Sequence, residues 1–158
     1  MGSVAKGIEP VFGAHIEILI LGSFPGQKSL ESAQYYAHKQ NQFWRLVGEV
    51  VSEPLQVMDY ETRKRTLLKH SIGLWDVIGA CERKGSLDSD IRNQRNNNFS
   101  SLLDKAKNLR FVCFNGKKAA QAEPLFRQKY KTIVLPSSSP AYTLAFKLKC
   151  EQWRQIAD

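Results

Sequence analysis

Cysteine is scarce in this chain of 158 residues: Cys81, Cys113 and Cys150 are odd in number and far apart. That spacing excludes a disulfide framework, and the lack of any CxxC excludes the usual zinc and iron–sulfur patterns. A reducing, intracellular compartment follows most simply. Histidine is equally sparse. His15, His38 and His70 show neither HExxH nor clustered spacing, so no metal is expected. The serines of "PSSSP" lack a GxSxG surround, which argues against a serine hydrolase with a strained nucleophile elbow. No loop after a strand-like run carries the paired carboxylates of a glycosidase; Asp76 stands alone as a polar residue in an apolar context. No window reaches the roughly 18 consecutive apolar residues that a membrane span requires. The N-terminal stretch lacks a basic region followed by an apolar one. A soluble, unexported protein of the cytoplasm is expected, nucleoid-associated if the source is prokaryotic.

What is present is mostly positive charge and apolar bulk. Lys and Arg number 23 against 15 Asp and Glu, a formal net charge of +8. Such a field attracts polyanions, and nucleic acid is the leading candidate partner. With 42% hydrophobic and 10% aromatic residues, the chain can build a core of its own as a single domain over residues 1–158.

Four apolar, β-branched or aromatic runs read as strands: residues 16–21 ("IEILIL"), 72–78 ("IGLWDVI"), 110–114 ("RFVCF") and 131–135 ("KTIVL"). Amphipathic stretches at 41–51, 59–69, 99–108, 117–128 and 141–155 read as helices, with Pro124 at an end or a kink. Alternation of strand and helix predicts a three-layer α/β/α domain around a four-stranded parallel sheet buried on both faces. Ligands of such sheets bind beyond the carboxyl ends of the strands. The segments there are "GSFPG", "GACERKGS", "NGKKAA" and "PSSSPAY".

Three of these loops are rich in Gly, Ser or Pro, so their backbone amides can approach a phosphate closely. Three such loops at one sheet edge of a basic chain suggest a phosphodiester backbone lying across it. Taken singly, each is equally an ordinary turn. The segment "QYYAHKQNQFW", residues 34–44, crowds aromatics around His38 and Asn41. Aromatic faces flanked by amides hold an extruded nucleobase by stacking and edge hydrogen bonds. Packing in the core explains the same aromatics, and composition alone does not choose between the two.

Together, "LGSFPG", "YYAHKQNQFW", "LWDVIGACERKGSLDSDIRN", "FNGKKA" and "LPSSSPAY" resemble the uracil-DNA glycosylase superfamily, and within it the hypoxanthine-DNA (deoxyinosine) glycosylase branch. The resemblance runs from about Ile16 to the C-terminus and rests on the order and spacing of short motifs. It implies a uracil-DNA glycosylase-like fold and hydrolytic excision of a deaminated base from DNA, by a monomer without metal or cofactor. Members of the superfamily place Asp or Asn before the proline of the first loop, where it orients the attacking water. Here that position is Phe24, which can neither accept a proton nor align a water. The deoxyinosine branch is similar in lacking that residue, and there the asparagine of the NxFW element is the catalytic group; by that match it is Asn41.

An asparagine suffices because glycosidic cleavage is largely dissociative and needs positioning and charge stabilisation more than a strong base. Asn41 also begins a predicted helix, so a capping role stands beside the catalytic one. Ser23 and the amides of its loop would stabilise the leaving base. The resemblance further assigns Phe43 to stacking on the flipped base, with Phe24, Tyr36 and His38 around the pocket. Asn115 would contact the base or brace the first loop, and Asp76 would either help hold the pocket or be a buried carboxylate with a structural partner. It implies DNA contacts from Gly22, Pro25, Gly26 and Lys117, and from a minor-groove loop of Ser137, Ser138, Ser139 and Tyr142. The histidine that uracil-specific relatives carry in that last loop is replaced by Leu135. A binding module of the same fold that has lost its chemistry is the competing reading, motivated by Phe24.

Overall fold

The stretch Ile18–Leu21 becomes an inner strand of a parallel sheet, and its place there explains why it carries no polar residue. The computed structural model describes residues 3–157. Its strands are β1 (Val4–Lys6), β2 (Ile18–Gly22), β3 (Ile72–Asp76), β4 (Ile78–Glu82), β5 (Arg92–Asn96), β6 (Phe111–Asn115) and β7 (Lys131–Leu135). Four of them form the parallel sheet in the order β3-β2-β6-β7. Pairing runs from Ile18 opposite Ile72 to Gly22 opposite Asp76 on one side, and from Ile18 opposite Phe111 on the other.

Leu19, Ile20 and Leu21 are fully buried because successive side chains enter opposite layers. Ile20 joins Leu74, Cys113 and Leu135 under helices α2 (Phe43–Val51), α3 (Tyr60–Lys69) and α6 (Phe146–Trp153). Leu19 and Leu21 join Val112, Phe114, Phe99 and Phe126 on the other face, with α4 (Ser100–Lys105) and α5 (Lys117–Ala120). Helix α1 (Gln27–Ser32) follows the first loop. Among the described residues no helix is long and apolar enough to cross a membrane.

The predicted three-layer arrangement and its parallel sheet are present, with two departures. The run read as one strand over 72–78 is divided at Val77. Asp76 ends β3, and β4 then enters a second, antiparallel sheet of order β1-β4-β5. Backbone bonds at the crossing hold both sheets together: Val77 N donates to Gly22 O at 2.8 Å, and Asn97 N donates to Val77 O at 2.8 Å. Strand β5, "RNQRN", is exposed at every position, so it has no buried face to signal a strand. The helices at 117–128 and 141–155 are also shorter than predicted. The first stops at Ala120, before a single 3₁₀ turn around Pro124, and the second starts only at Phe146.

Candidate active site

The carboxyl ends of β2, β3, β6 and β7 open into a cleft of about 1040 Å³. It is walled by the "GSFPG" loop, by the segment 35–41 and by the serine loop after β7, with the stretch 86–92 between β4 and β5 across from them. That last wall comes from the second sheet, which sequence periodicity did not reveal.

Asn41 borders the cleft, half-buried. Its Oδ1 accepts from Phe43 N at 2.9 Å, the reach of a side chain at a helix start. That bond fixes which end of the amide is oxygen and leaves one lone pair of Oδ1 and the NH₂ group for other partners. The N-cap of α2 is Gln42, so Asn41 stands one residue before the cap and its bond to Phe43 N shapes the turn that enters the helix. Next to it, Gln42 N donates to Ser138 O at 3.0 Å. The buried Lys149 ammonium donates to Gln42 Oε1 at 2.8 Å, which ties the start of α2 to α6. Nothing in the spacing of "FKLKCEQW" marks Lys149 as a brace for this site.

Two aromatic assignments are corrected by packing. Phe43 is fully buried and absent from the cleft wall. Its ring is covered by Tyr36, stacked at 4.0 Å with an interplanar angle of 13°, and by the edges of Trp44 and Trp153. The ring that borders the cleft is Tyr36, carried there by a left-handed backbone at φ 55°. Such a conformation costs a bulky residue about 1–3 kcal/mol and persists only where its surroundings hold it. Phe24 touches the cleft, yet it is 6% exposed, belongs to the core with Val77 and Ile78, and lies 5.3 Å beneath the Arg83 guanidinium. It therefore offers no free face to a base.

Asn115 organises the wall. Its Oδ1 accepts from Ser138 N at 2.9 Å, and its Nδ2 donates to Ser138 Oγ at 2.9 Å and to the Tyr36 hydroxyl at 3.2 Å. With both ends of the amide engaged, it braces the serine loop and Tyr36, not the first loop. Gly116, at φ 95°, turns the chain from β6 into α5 where a Cβ would meet Ser137 Cβ at 3.1 Å. The turn brings Lys117 and Lys118 to the cleft rim. Ser137 Oγ accepts from Ser139 N, and Ser139 Oγ from Ala141 N, both at 3.1 Å, so these hydroxyls shape their own loop. Tyr142 and His38 are exposed at the rim, and Gly22, Pro25 and Gly26 form the opposite edge.

Carboxyl groups, missing from the first loop, reach the cleft from elsewhere. Ser23 Oγ donates to Asp88 Oδ1 at 2.7 Å, so its proton is engaged there and not free for a leaving group. Asp76, at the end of β3, is 4% exposed and also borders the cleft. Burial, then the negative charge of Asp88, push its carboxyl up to about 7, against a smaller lowering by Arg83. Burial likewise raises the Tyr35 and Tyr36 phenols, which stay neutral. The sequence singled out Asp76 as a polar residue in an apolar run and left it between a pocket role and a structural one. Asp88 lay in a segment that no strand signal attached to the sheet edge.

Fold and cleft together define a class. The model of the uracil DNA glycosylase superfamily matches residues 10–157, and the chain belongs to that superfamily. Among its relatives is the hypoxanthine DNA glycosylase of Methanosarcina acetivorans, 45% identical over 97% of this chain and 98% of that one. The hypoxanthine DNA glycosylase of Methanosarcina barkeri is 44% identical over 95% and 96%. The fold superimposes with a TM-score of 0.89 on the solution NMR structure of a candidate uracil DNA glycosylase from M. acetivorans, 44% identical and covering 98% of this chain and 97% of that one.

Proposed function

We propose that this chain is a monofunctional DNA glycosylase that everts a deaminated base into the cleft and hydrolyses its glycosidic bond. Hypoxanthine is its first substrate, with uracil and xanthine as further ones. The observation that carries this reading is the position of Asn41, on the cleft wall of a uracil DNA glycosylase superfamily fold, with one lone pair of its Oδ1 unengaged. Phe24 leaves the first loop without a water-orienting side chain, and Asn41 takes that task.

In this reading the Asn41 carboxamide accepts from a water beneath C1′ while the base departs, and its NH₂ group donates to the sugar or base. Tyr36, backed by Phe43, supplies the stacking face, and His38 closes the pocket from the rim. Backbone amides of the first loop stabilise charge on the leaving base. Lys117, the serine loop and Tyr142 hold the DNA backbone on either side of the everted nucleotide. The chain acts as one domain and as a monomer, without metal or cofactor, in the compartment that holds the DNA.

Labelled duplexes with one hypoxanthine, uracil or xanthine, treated with alkali after incubation, test this directly. Strand breaks are expected at the hypoxanthine position, in the strand that carries it. Asn41→Ala should lower the single-turnover rate about 10²–10³-fold, the usual loss for one preorganised group, while duplex binding is retained. If the wild type breaks no duplex at high enzyme and low salt yet still binds, the fold serves binding alone.

A further inference from the structure

Among the described residues Asp76 is the one buried carboxyl in the cleft, and no hydrogen bond or ion pair of its side chain gives it a structural role. Its Oδ2 is buried without a hydrogen-bond partner. Its Oδ1 and the Tyr36 hydroxyl close on the same point, since a Cβ added to Gly22 would meet them at 2.6 and 2.8 Å. The charged and titratable groups facing it are Asp88 from the stretch after β4, Arg83 from the end of β4, and the phenols of Tyr35 and Tyr36. Arg83 lowers its pKa without contact: no ion pair joins the two among the described residues, the guanidinium donates from Nε to Gly85 O and from Nη2 to Pro25 O, and its Nη1 is also buried without a partner. An ion buried without a partner is costly, so burial favours the protonated carboxyl. A proton held near neutral pH at the edge of a base pocket is placed for transfer.

Resting on the glycosylase reading, we propose that Asp76 is a general acid for purine departure, giving its proton to N7 of the base as the C1′–N9 bond breaks. The bonding pair of C1′–N9 passes into the imidazole ring, and the proton arriving at N7 lets hypoxanthine leave neutral. The oxygen of the water held by Asn41 bonds to C1′, and the proton that water sheds returns to the Asp76 carboxylate, directly or through solvent. The net change is one water consumed, one free base and one abasic sugar. A purine carries a basic nitrogen conjugated to its glycosidic nitrogen. A pyrimidine has none and leaves as an oxygen-stabilised anion. The carboxyl therefore favours hypoxanthine and xanthine over uracil.

The test is single-turnover excision of hypoxanthine from a duplex across pH 5.5–9. The wild-type rate should fall about tenfold per pH unit above about pH 7, the limb of an acid that must be protonated. Asp76→Asn should be about 10²–10³-fold slower at pH 6 and lose that limb. Its affinity for a duplex with the uncleavable 2′-fluoroarabino analogue of deoxyinosine should stay within about threefold of wild type. Asp88→Asn should move the limb to lower pH. A second arm needs no variant: wild type should excise 7-deazahypoxanthine, which has no N7, at least about 100-fold more slowly than hypoxanthine. If the asparagine variant misfolds, the wild-type limb and its shift in Asp88→Asn decide together with that arm. An unchanged limb in Asp76→Asn, or 7-deazahypoxanthine excised at the hypoxanthine rate, overturns the proposal while leaving the glycosylase intact. A wild type that excises no base overturns both.

Discussion

Of the polar side chains that face the cleft, three lie at different depths, and depth sets what each can do. Asn41 is half-buried and partly engaged, Asp88 is exposed and paired with Ser23, and Asp76 is buried with one oxygen unpartnered. The last carries a consequence for stability. Its carboxyl is raised from 3.8 to about 7 in the folded state, so between those values the native protein holds a proton that the unfolded chain has released. The contribution of this group to stability is full below about pH 4 and is lost as pH rises through about 7, by at most about 4 kcal/mol. Asp76→Asn keeps the shape and removes the titration. Its urea midpoint should therefore exceed that of wild type at pH 8, with the gap closing toward pH 4. A gap that does not vary with pH would show that the carboxyl is solvated or paired in solution. With the expected pH-dependent gap, the same side chain lowers stability and supplies chemistry, which is how a catalytic group is recognised among structural ones.

At the scale of elements, what matters is where strands end. The four runs of the parallel sheet were readable because burial on both faces leaves uninterrupted apolar sequence, as in Leu19–Leu21. Asn41 and the loops after the strands were readable from motif and position. The antiparallel sheet was not. Its strand β5 presents no buried residue, and β4 continues the apolar run of β3 across Val77 without punctuation. The roles of Phe43 and Tyr36 were likewise hidden, since either ring satisfies an aromatic motif and only packing shows which one covers the other. Gly22 illustrates the geometry. It ends β2 opposite Asp76, and a methyl group there would meet Asp76 Oδ1 and the Tyr36 hydroxyl, both ends of side chains able to shift. Gly22→Ala should therefore fold with a melting temperature within a few degrees of wild type. Excision should nevertheless fall by about tenfold or more, because both groups are displaced from the cleft. Normal turnover in this variant would mean that neither the carboxyl nor the phenol touches the base.

Across the whole molecule, the excess of 23 basic over 15 acidic side chains acts before any base is read. A duplex approaching a positive surface releases condensed counterions, so affinity falls with salt at a logarithmic slope of about −0.9 per phosphate contacted. Lys117 and Lys118 stand at the rim where α5 starts, neither held in an ion pair among the described residues, and both border the cleft. Replacing both with alanine should weaken binding to undamaged and hypoxanthine-containing duplexes alike and reduce the slope of log K against log salt by about 2. The single-turnover rate at saturating enzyme should stay unchanged, because these lysines hold the backbone and do not act on the glycosidic bond. Fluorescence anisotropy across a salt series measures the slope, and rapid-quench excision measures the rate. If the slope is unaltered, the DNA follows a path that misses α5. If the rate falls while the slope holds, the lysines act on the everted base, and the division between a positively charged rim and a nearly neutral reaction centre is lost.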